Sequence, residues 1–141
     1  MTLDPREPAT IVAFVREQER AIVATVTPDG APEAALVGIA ALDDGTLIFN
    51  APTAARKIAN LQATGRVAVV VGAVGPVSVQ IEGDAVITEG DEKAHYADEF
   101  ENQCPGTRSR YPGYEVIVIR PDWARVYDVS HKPPLVIESA W

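Results

Sequence analysis

Cysteine, histidine and positive charge are all scarce in this sequence, and each shortage excludes a class of protein. Cys104 is the single cysteine, so one chain can form no disulfide framework, cysteine-based zinc cluster or CxxC redox pair. A lone thiol fits a reducing compartment, and we expect a cytoplasmic protein. The two histidines, His95 and His131, have no partner at the spacing of metal ligands. We therefore predict no metal site.

Long apolar runs are absent as well. The most apolar stretch, residues 67–81, is interrupted by Gly72, Gly75 and Pro76, so it is too short and too broken to span a membrane. The N-terminal segment MTLDPREPA has neither the cationic part nor the apolar part of a signal peptide. We expect a soluble protein with no membrane partner.

The charge balance argues against nucleic acid as a partner. The chain carries 12 lysines and arginines against 20 aspartates and glutamates, which gives a formal net charge of -8. A protein this acidic is poorly suited to bind nucleic acid or an anionic membrane. Any anion that it binds needs a local basic site, and the adjacent cations Arg56 and Lys57 are the natural candidates.

Familiar catalytic motifs are missing too. The sequence has no GxGxxG after a strand, no Walker A loop and no GxSxG elbow. The carboxylate pair Asp43–Asp44 lies in a turn, where aspartates favour local backbone hydrogen bonds. Hydrolase and metalloenzyme functions thus have no support in the sequence, and the catalytic residues are unknown.

What is present is a pattern of short strands separated by turns, typical of a single mainly β domain over residues 1–141. We predict helices over 9–19, 53–63 and 91–102, a loop over 104–113, and strands over 21–27, 33–42, 46–51, 66–72, 77–88, 114–121 and 123–130. The apolar run at 66–72 predicts a central strand buried on both faces, and Gly83 predicts a bulge in the next strand. The fold predicted is a small, partly open antiparallel β-barrel with peripheral helices.

The helix predicted over 53–63 contains the two adjacent cations. Thr53 is the predicted N-cap, Ile58 and Leu61 share the inward face with Ala54, and Arg56 and Asn60 lie outward, flanked by Lys57. Cations in a first helical turn cost about 0.3–1 kcal/mol each against the dipole. Two interpretations remain open on these grounds: solvated cations, or a phosphate site that uses the free N–H groups as well.

The order of turns and strands around this helix resembles the pyridoxamine 5′-phosphate oxidase-like, FMN-binding split-barrel superfamily. The family pattern is a strand, D-G-x-P, a strand, D-G-x-L-x-F, a helix start with R-K-x-x-N-L and a strand that begins R-V-A. The matching residues here are Asp29, Gly30, Pro32, Asp44, Gly45, Leu47, Phe49, Arg56, Lys57, Asn60, Leu61, Arg66, Val67 and Ala68. The resemblance extends over roughly residues 9–130.

The resemblance implies a split barrel that forms a homodimer, with FMN in the groove between subunits. Arg56 and Lys57 would hold the flavin phosphate. Residues 37–39 and 50–53 would line the ring and the ribityl chain, which gives Val37, Gly38, Asn50, Ala51 and Thr53 as contacts. Ser78 and Gln80 would bind the ribityl chain or ring edge, while Trp123 and Arg125 would contact flavin or substrate.

Departures from the family pattern narrow the implied activity. The second strand lacks the cations of the R-x-x-x-L-K pattern, and Asn50–Ala51 replaces the Tyr-Thr of true pyridoxamine phosphate oxidases. We therefore expect an FMN-dependent oxidoreductase for an unidentified small molecule, and not an enzyme of vitamin B6 synthesis. Tyr127 and Arg125 are the candidates for an acid or base. The alternatives are a reductase that uses an 8-hydroxy-5-deazaflavin coenzyme, whose acidic tail Arg108 and Arg110 could contact, and a non-catalytic flavin- or haem-binding protein.

Overall fold

The computed structural model describes residues 2–141, which contain three helices and eight strands. In chain order these are α1 (Pro8–Gln18), β1 (Arg20–Val26), β2 (Pro32–Gly38), β3 (Ala40–Ala41), β4 (Leu47–Pro52), α2 (Arg56–Ala63), β5 (Arg66–Val71), β6 (Val77–Ile87), α3 (Gly90–Gln103), β7 (Tyr114–Asp128) and β8 (Leu135–Ala140). Within that range, none of the helices combines the length and the apolar character needed to cross a membrane.

All strands belong to one antiparallel sheet, in the order β2-β1-β5-β6-β7-β4-β3. The long strand β7 pairs with β4 through its first half and with β8 through its second half. The sheet curls until β2 comes within 8 Å of β4, so the barrel is only partly closed. The predicted fold, a split β-barrel with peripheral helices, is confirmed.

The core fills the concave side of the sheet and alternates with exposed positions along each strand. Val23 of β1, Val69 of β5 and Ile81 of β6 are at most 1% exposed, and Phe49 of β4 is fully buried. The prediction that β5 is buried on both faces was wrong, because Val70 on the convex side is 40% exposed. An apolar run does not reveal that this side of β5 stays exposed in one chain.

Gly83 lies at the predicted bulge, where the register between β6 and β7 shifts. A Cβ atom at this position would collide with the carbonyl oxygen of Arg120, so the close approach of the two backbones requires glycine. The bulge bends β6 and lets the same strand pair with both halves of β7.

Two segments are organised differently from the prediction. The strand predicted over 33–42 is broken at Ile39, whose N–H donates to the Glu19 carbonyl instead of continuing the ladder. The strands predicted over 114–121 and 123–130 form one continuous strand, β7. The apolar tail that follows is strand β8, and it ends with Trp141 packed over Gly45.

Candidate functional site

Helix α2 begins later than predicted and has no side-chain cap. Thr53 is not the N-cap, because its hydroxyl donates instead to Oε2 of Glu115 on β7 at 2.8 Å. Ala55 takes the N-cap position and can offer no side-chain acceptor. Arg56 and Lys57 are therefore the first two residues of the helix, at an end whose amide groups no side chain satisfies.

Asn60 points into the barrel, and its predicted outward position was wrong. Asn60 is only 3% exposed. Its Nδ2 donates to Thr25 Oγ1 at 3.0 Å and to Glu33 Oε1 at 2.8 Å. Helical periodicity groups Asn60 with Arg56 on the outer side, but it does not fix the direction of the side chain. The two oxygen acceptors on β1 and β2 decide it, and neither is adjacent in the sequence.

A small pocket of 90 Å³ lies between the start of α2 and the concave side of β1 and β2. Its lining residues are Val23, Thr25, Glu33, Ala34, Ala35, Arg56 and Lys57. Nη1 of Arg56 lies 2.5 Å from Oε2 of Glu33, while the Lys57 ammonium forms no ion pair or hydrogen bond with any residue in 2–141. Both predicted phosphate ligands thus line one pocket, together with a carboxylate.

Glu33 is the functional candidate that sequence reasoning missed. The alternation along β2 gave a usable signal, because Glu33 shares its side of the strand with Ala35 and the buried Val37. A glutamate at an inward position needs partners, and here they are Arg56 and Asn60. Its side chain is 17% exposed.

A larger, open cavity of 700 Å³ adjoins the other end of β2. Gly38 and Asn50, both predicted site residues, line it together with Glu19, Arg20, Phe100, residues 104–108 and Tyr114. Ala35 of the small pocket and Gly38 of the cavity are three residues apart on β2, about 10 Å along an extended strand. Val37 and Ala51 are buried, so only their backbones can face a ligand here.

The loop that borders this cavity is held by Glu101. Its Oε1 accepts from the N–H of Gly106 at 2.9 Å, and its Oε2 accepts from the N–H and the hydroxyl of Thr107, each at 3.0 Å. The hydrogen bond from the Gly106 amide is the main cause that lowers the pKa of Glu101 below its ordinary value. Arg108 in this loop contacts the Tyr114 hydroxyl at 3.3 Å, whereas Arg110 pairs with Asp98 on α3.

The remaining predicted contacts lie on the convex side of the sheet. Ser78 and Gln80 of β6 pair with Tyr127 and Arg125 of β7, and Trp123 is the next residue on the same side. One row of paired residues crosses the sheet on this side: Leu36, Ile22, Val70, Gln80, Arg125 and Glu138. Leu36, Ile22 and Val70 are 58%, 39% and 40% exposed, so the row is apolar at one end and polar at the other.

The predicted site residues thus form two groups that one chain does not bring together. Arg56 and Lys57 border the concave side of β1 and β2, where Val23 pairs with Ala35. Gln80 lies on the convex side of β6, three strand spacings from β2, or about 14 Å. One chain therefore presents the two groups on opposite sides of its sheet.

Arg125 carries an unsatisfied polar atom. Its Nε is buried and has no hydrogen-bond partner within residues 2–141, since Oε2 of Glu138 is 3.9 Å away. The guanidinium carbon lies 6.0 Å from the centre of the Tyr127 ring. A buried N–H group without an acceptor is costly, so Arg125 is a suitable donor for a ligand or for a partner's surface.

Comparison with known proteins agrees with this architecture. The family model for pyridoxamine 5′-phosphate oxidase matches residues 8–128. None of the curated proteins matches the chain. Among solved structures, a pyridoxamine 5′-phosphate oxidase-related, FMN binding protein from Nostoc punctiforme is similar with a TM-score of 0.68 at 14% identity, over 99% of this chain and 98% of that one.

Two further structures are similar in fold. General Stress Protein 26 from Bacillus anthracis gives a TM-score of 0.67 at 21% identity, over 95% of this chain and 98% of that one. A heme binding protein from Mycobacterium smegmatis gives a TM-score of 0.77 at 21% identity, over 99% of this chain but only 59% of that one. At such identities the likeness shows a shared fold.

Proposed function

The chain belongs to the pyridoxamine 5′-phosphate oxidase family, and from that membership we propose that it binds FMN and acts as a flavin-dependent oxidoreductase on a small molecule. The observation that carries the proposal is the start of α2. Arg56 and Lys57 stand there side by side, at a helix end without a side-chain cap, on the border of a pocket. Uncapped N–H groups, a guanidinium fork and an ammonium are all favourable ligands for a phosphate monoester.

The residues present fit a flavin phosphate, with one opposing group. Lys57 is unpaired among the described residues, and the pocket offers space beside it. Glu33 opposes an anion, since its carboxylate is already paired with Arg56. The pocket therefore keeps an excess of one positive charge, from two cations and one carboxylate.

A homodimer is part of the proposal, because the split between the two groups of site residues calls for a second copy. Gln80 and Arg125 of the partner would meet a flavin whose phosphate lies at Arg56 and Lys57. The exposed apolar end of the convex row, formed by Leu36, Ile22 and Val70, supports burial of that side. The unsatisfied Nε of Arg125 lies in the same row and supports it as well.

FMN, once bound, supplies hydride or electron transfer, and the chain's part is to hold and orient it. The open cavity beside Gly38 and Asn50 is the place that the fold offers to a substrate. Residues 34–41 carry no cation, so the second-strand cations of true pyridoxamine phosphate oxidases have no counterpart and vitamin B6 synthesis is not proposed. The cytoplasmic location stays a prediction from the sequence.

A deazaflavin coenzyme is the second candidate. Arg20 and Arg108 line the larger cavity, and neither forms an ion pair with a carboxylate of residues 2–141. These two guanidinium groups outnumber the one carboxylate among residues 2–141 that lines the cavity, that of Glu19, and in a protein with a formal charge of -8 they favour an acidic ligand tail there. Haem binding, as in the name of the Mycobacterium smegmatis protein, is the third outcome to be tested.

The absorption spectrum of the purified protein tests the proposal, followed by titration with each ligand in turn. Two visible flavin bands, or saturable binding of FMN in preference to riboflavin, support FMN, because riboflavin has the same ring and lacks the phosphate. A single deazaflavin band or a haem Soret band supports the corresponding alternative. A colourless protein that takes up none of the three contradicts all of them.

A further inference from the structure

Glu33 is held in the small pocket from two sides. Oε2 lies 2.5 Å from Nη1 of Arg56, and Oε1 accepts a 2.8 Å hydrogen bond from Nδ2 of Asn60. Asn60 is itself fixed by a 3.0 Å hydrogen bond to Thr25 Oγ1. The carboxylate is therefore a built part of the pocket and not a solvated surface charge.

This carboxylate contacts Nη1 of Arg56, a donor that a bound phosphate could also use. A guanidinium group offers its N–H donors to carboxylates and phosphates in the same geometry, so the two anions compete for the same nitrogen. Resting on the proposed function, we propose that Glu33 is an internal competitor of the cofactor phosphate. It pairs with Arg56 while no phosphate is bound and gives up that contact when one binds.

The consequence is that Glu33 limits the affinity of the site for phosphate. Binding replaces an existing ion pair, and a phosphate at Lys57 meets the repulsion of a negative charge across the pocket. The site becomes selective for ligands whose other contacts outweigh this loss, and it releases small phosphates readily. Glu33 thereby determines how strongly the phosphate end contributes to cofactor binding.

A positioning role for Glu33 predicts the opposite change in phosphate affinity when the carboxylate is removed, which makes the proposal testable. If the carboxylate served to orient Arg56 toward the ligand, its removal would weaken phosphate binding. In Glu33→Gln the side chain keeps its length and Oε1 can still accept from Asn60. The NH2 group that replaces Oε2 cannot pair with Arg56, because both are donors. Arg56 is then available to the phosphate.

The experiment is a titration of FMN and of riboflavin into the wild type, Glu33→Gln and a control, followed by flavin fluorescence. Asp43→Asn is the matched control, since it removes one negative charge from an exposed ion pair with Arg16 at 2.8 Å. We expect Glu33→Gln to bind FMN about tenfold more tightly, while Asp43→Asn changes the affinity less than about twofold. Riboflavin affinity should be equal in all three. Unchanged or weaker FMN binding by Glu33→Gln overturns the proposal.

Inorganic phosphate separates this proposal from the proposed function. Its binding is followed by the NMR shift of the Lys57 amide in flavin-free protein, and it should tighten about tenfold in Glu33→Gln. If no variant binds FMN but this gain is seen, the flavin proposal fails and the role of Glu33 stands. If the amide shift shows no gain, Glu33 is not a competitor. Should Glu33→Gln fold poorly, Glu33→Thr removes the same charge with a strand-forming residue and is expected to give the same gain.

Discussion

The side-chain amide of Asn60 donates a 2.8 Å hydrogen bond to Oε1 of Glu33 and so joins helix α2 to the edge strand β2. Asn60→Ala removes this bond and the one to Thr25 and leaves polar atoms in a nearly closed site. We expect the free energy of unfolding to fall by about 1–3 kcal/mol. Urea denaturation measures this, with the exposed Gln62→Ala on the same helix as a control that should stay within about 0.5 kcal/mol. Equal effects of the two substitutions would show that Asn60 is not a structural link.

Asn60 also shows which features of the fold a local sequence pattern does not predict. Turn residues, strand periodicity and the glycine at the bulge predicted the barrel because each acts locally. The directions of Asn60 and Thr53 depend on Glu33 and Glu115, which lie on other strands. No local pattern contains that information.

In the candidate site too, the features set by local sequence were predicted and those set by contacts between distant residues were not. Arg56 and Lys57 were identified from the sequence because they are adjacent and are followed by a recognisable helix. Glu33 was missed because its partners Arg56 and Asn60 lie on α2, and only the packing of α2 against β2 brings them to it. That Gln80 lies on the opposite side of the sheet from Arg56 likewise depends on the register of four strands.

The C-terminal segment, which consists of strand β8 and Trp141, is predicted to stabilise the barrel through Trp141. A Cβ at Gly45 would lie 2.6 Å from Nε1 of Trp141, and Gly45 has a φ of +92°. Gly45→Ala should therefore lower the free energy of unfolding by about 1–3 kcal/mol. In a Trp141→Ala background the same substitution should cost less, because the collision is gone and only the backbone strain remains. Thermal unfolding of the four proteins measures the coupling, and strict additivity would contradict the packing described.

The order of the loop that borders the larger cavity, residues 104–108, should depend on pH through Glu101. The pKa of its carboxyl is lowered in the folded protein, chiefly by the hydrogen bond from the Gly106 amide. Its contribution is complete above the ordinary glutamate value of 4.5 and is lost as the pH falls through the lower folded value. Glu101→Gln should remove this dependence. Hydrogen exchange of the Gly106 amide, measured between about pH 3 and 6 so that the titration of a glutamate is covered, checks this prediction. Identical protection of that amide in both proteins at every pH would refute the loop contact.

The proposed dimer makes Leu36 an interface residue. Leu36 is 58% exposed in one chain and lies in the apolar part of the convex row. Leu36→Asp should convert a dimer into a monomer, because it places a charge in a dry contact. Val74→Asp is the control, since Val74 is 87% exposed in the turn between β5 and β6 and should have no effect. Light scattering after size exclusion measures the mass; a wild type that is already monomeric contradicts the dimer.

The central claim is that Arg56 and Lys57 bind the phosphate of FMN, and the dissociation constants of Arg56→Ala, Lys57→Ala and wild type test it most directly. Loss of a charge-assisted contact costs about 1.5–3 kcal/mol, so each substitution should raise the dissociation constant of FMN about 10- to 150-fold. Riboflavin binding should not change, and neither should FMN binding by the exposed control Lys132→Ala. FMN affinities equal to that of the wild type in both variants would contradict the claim.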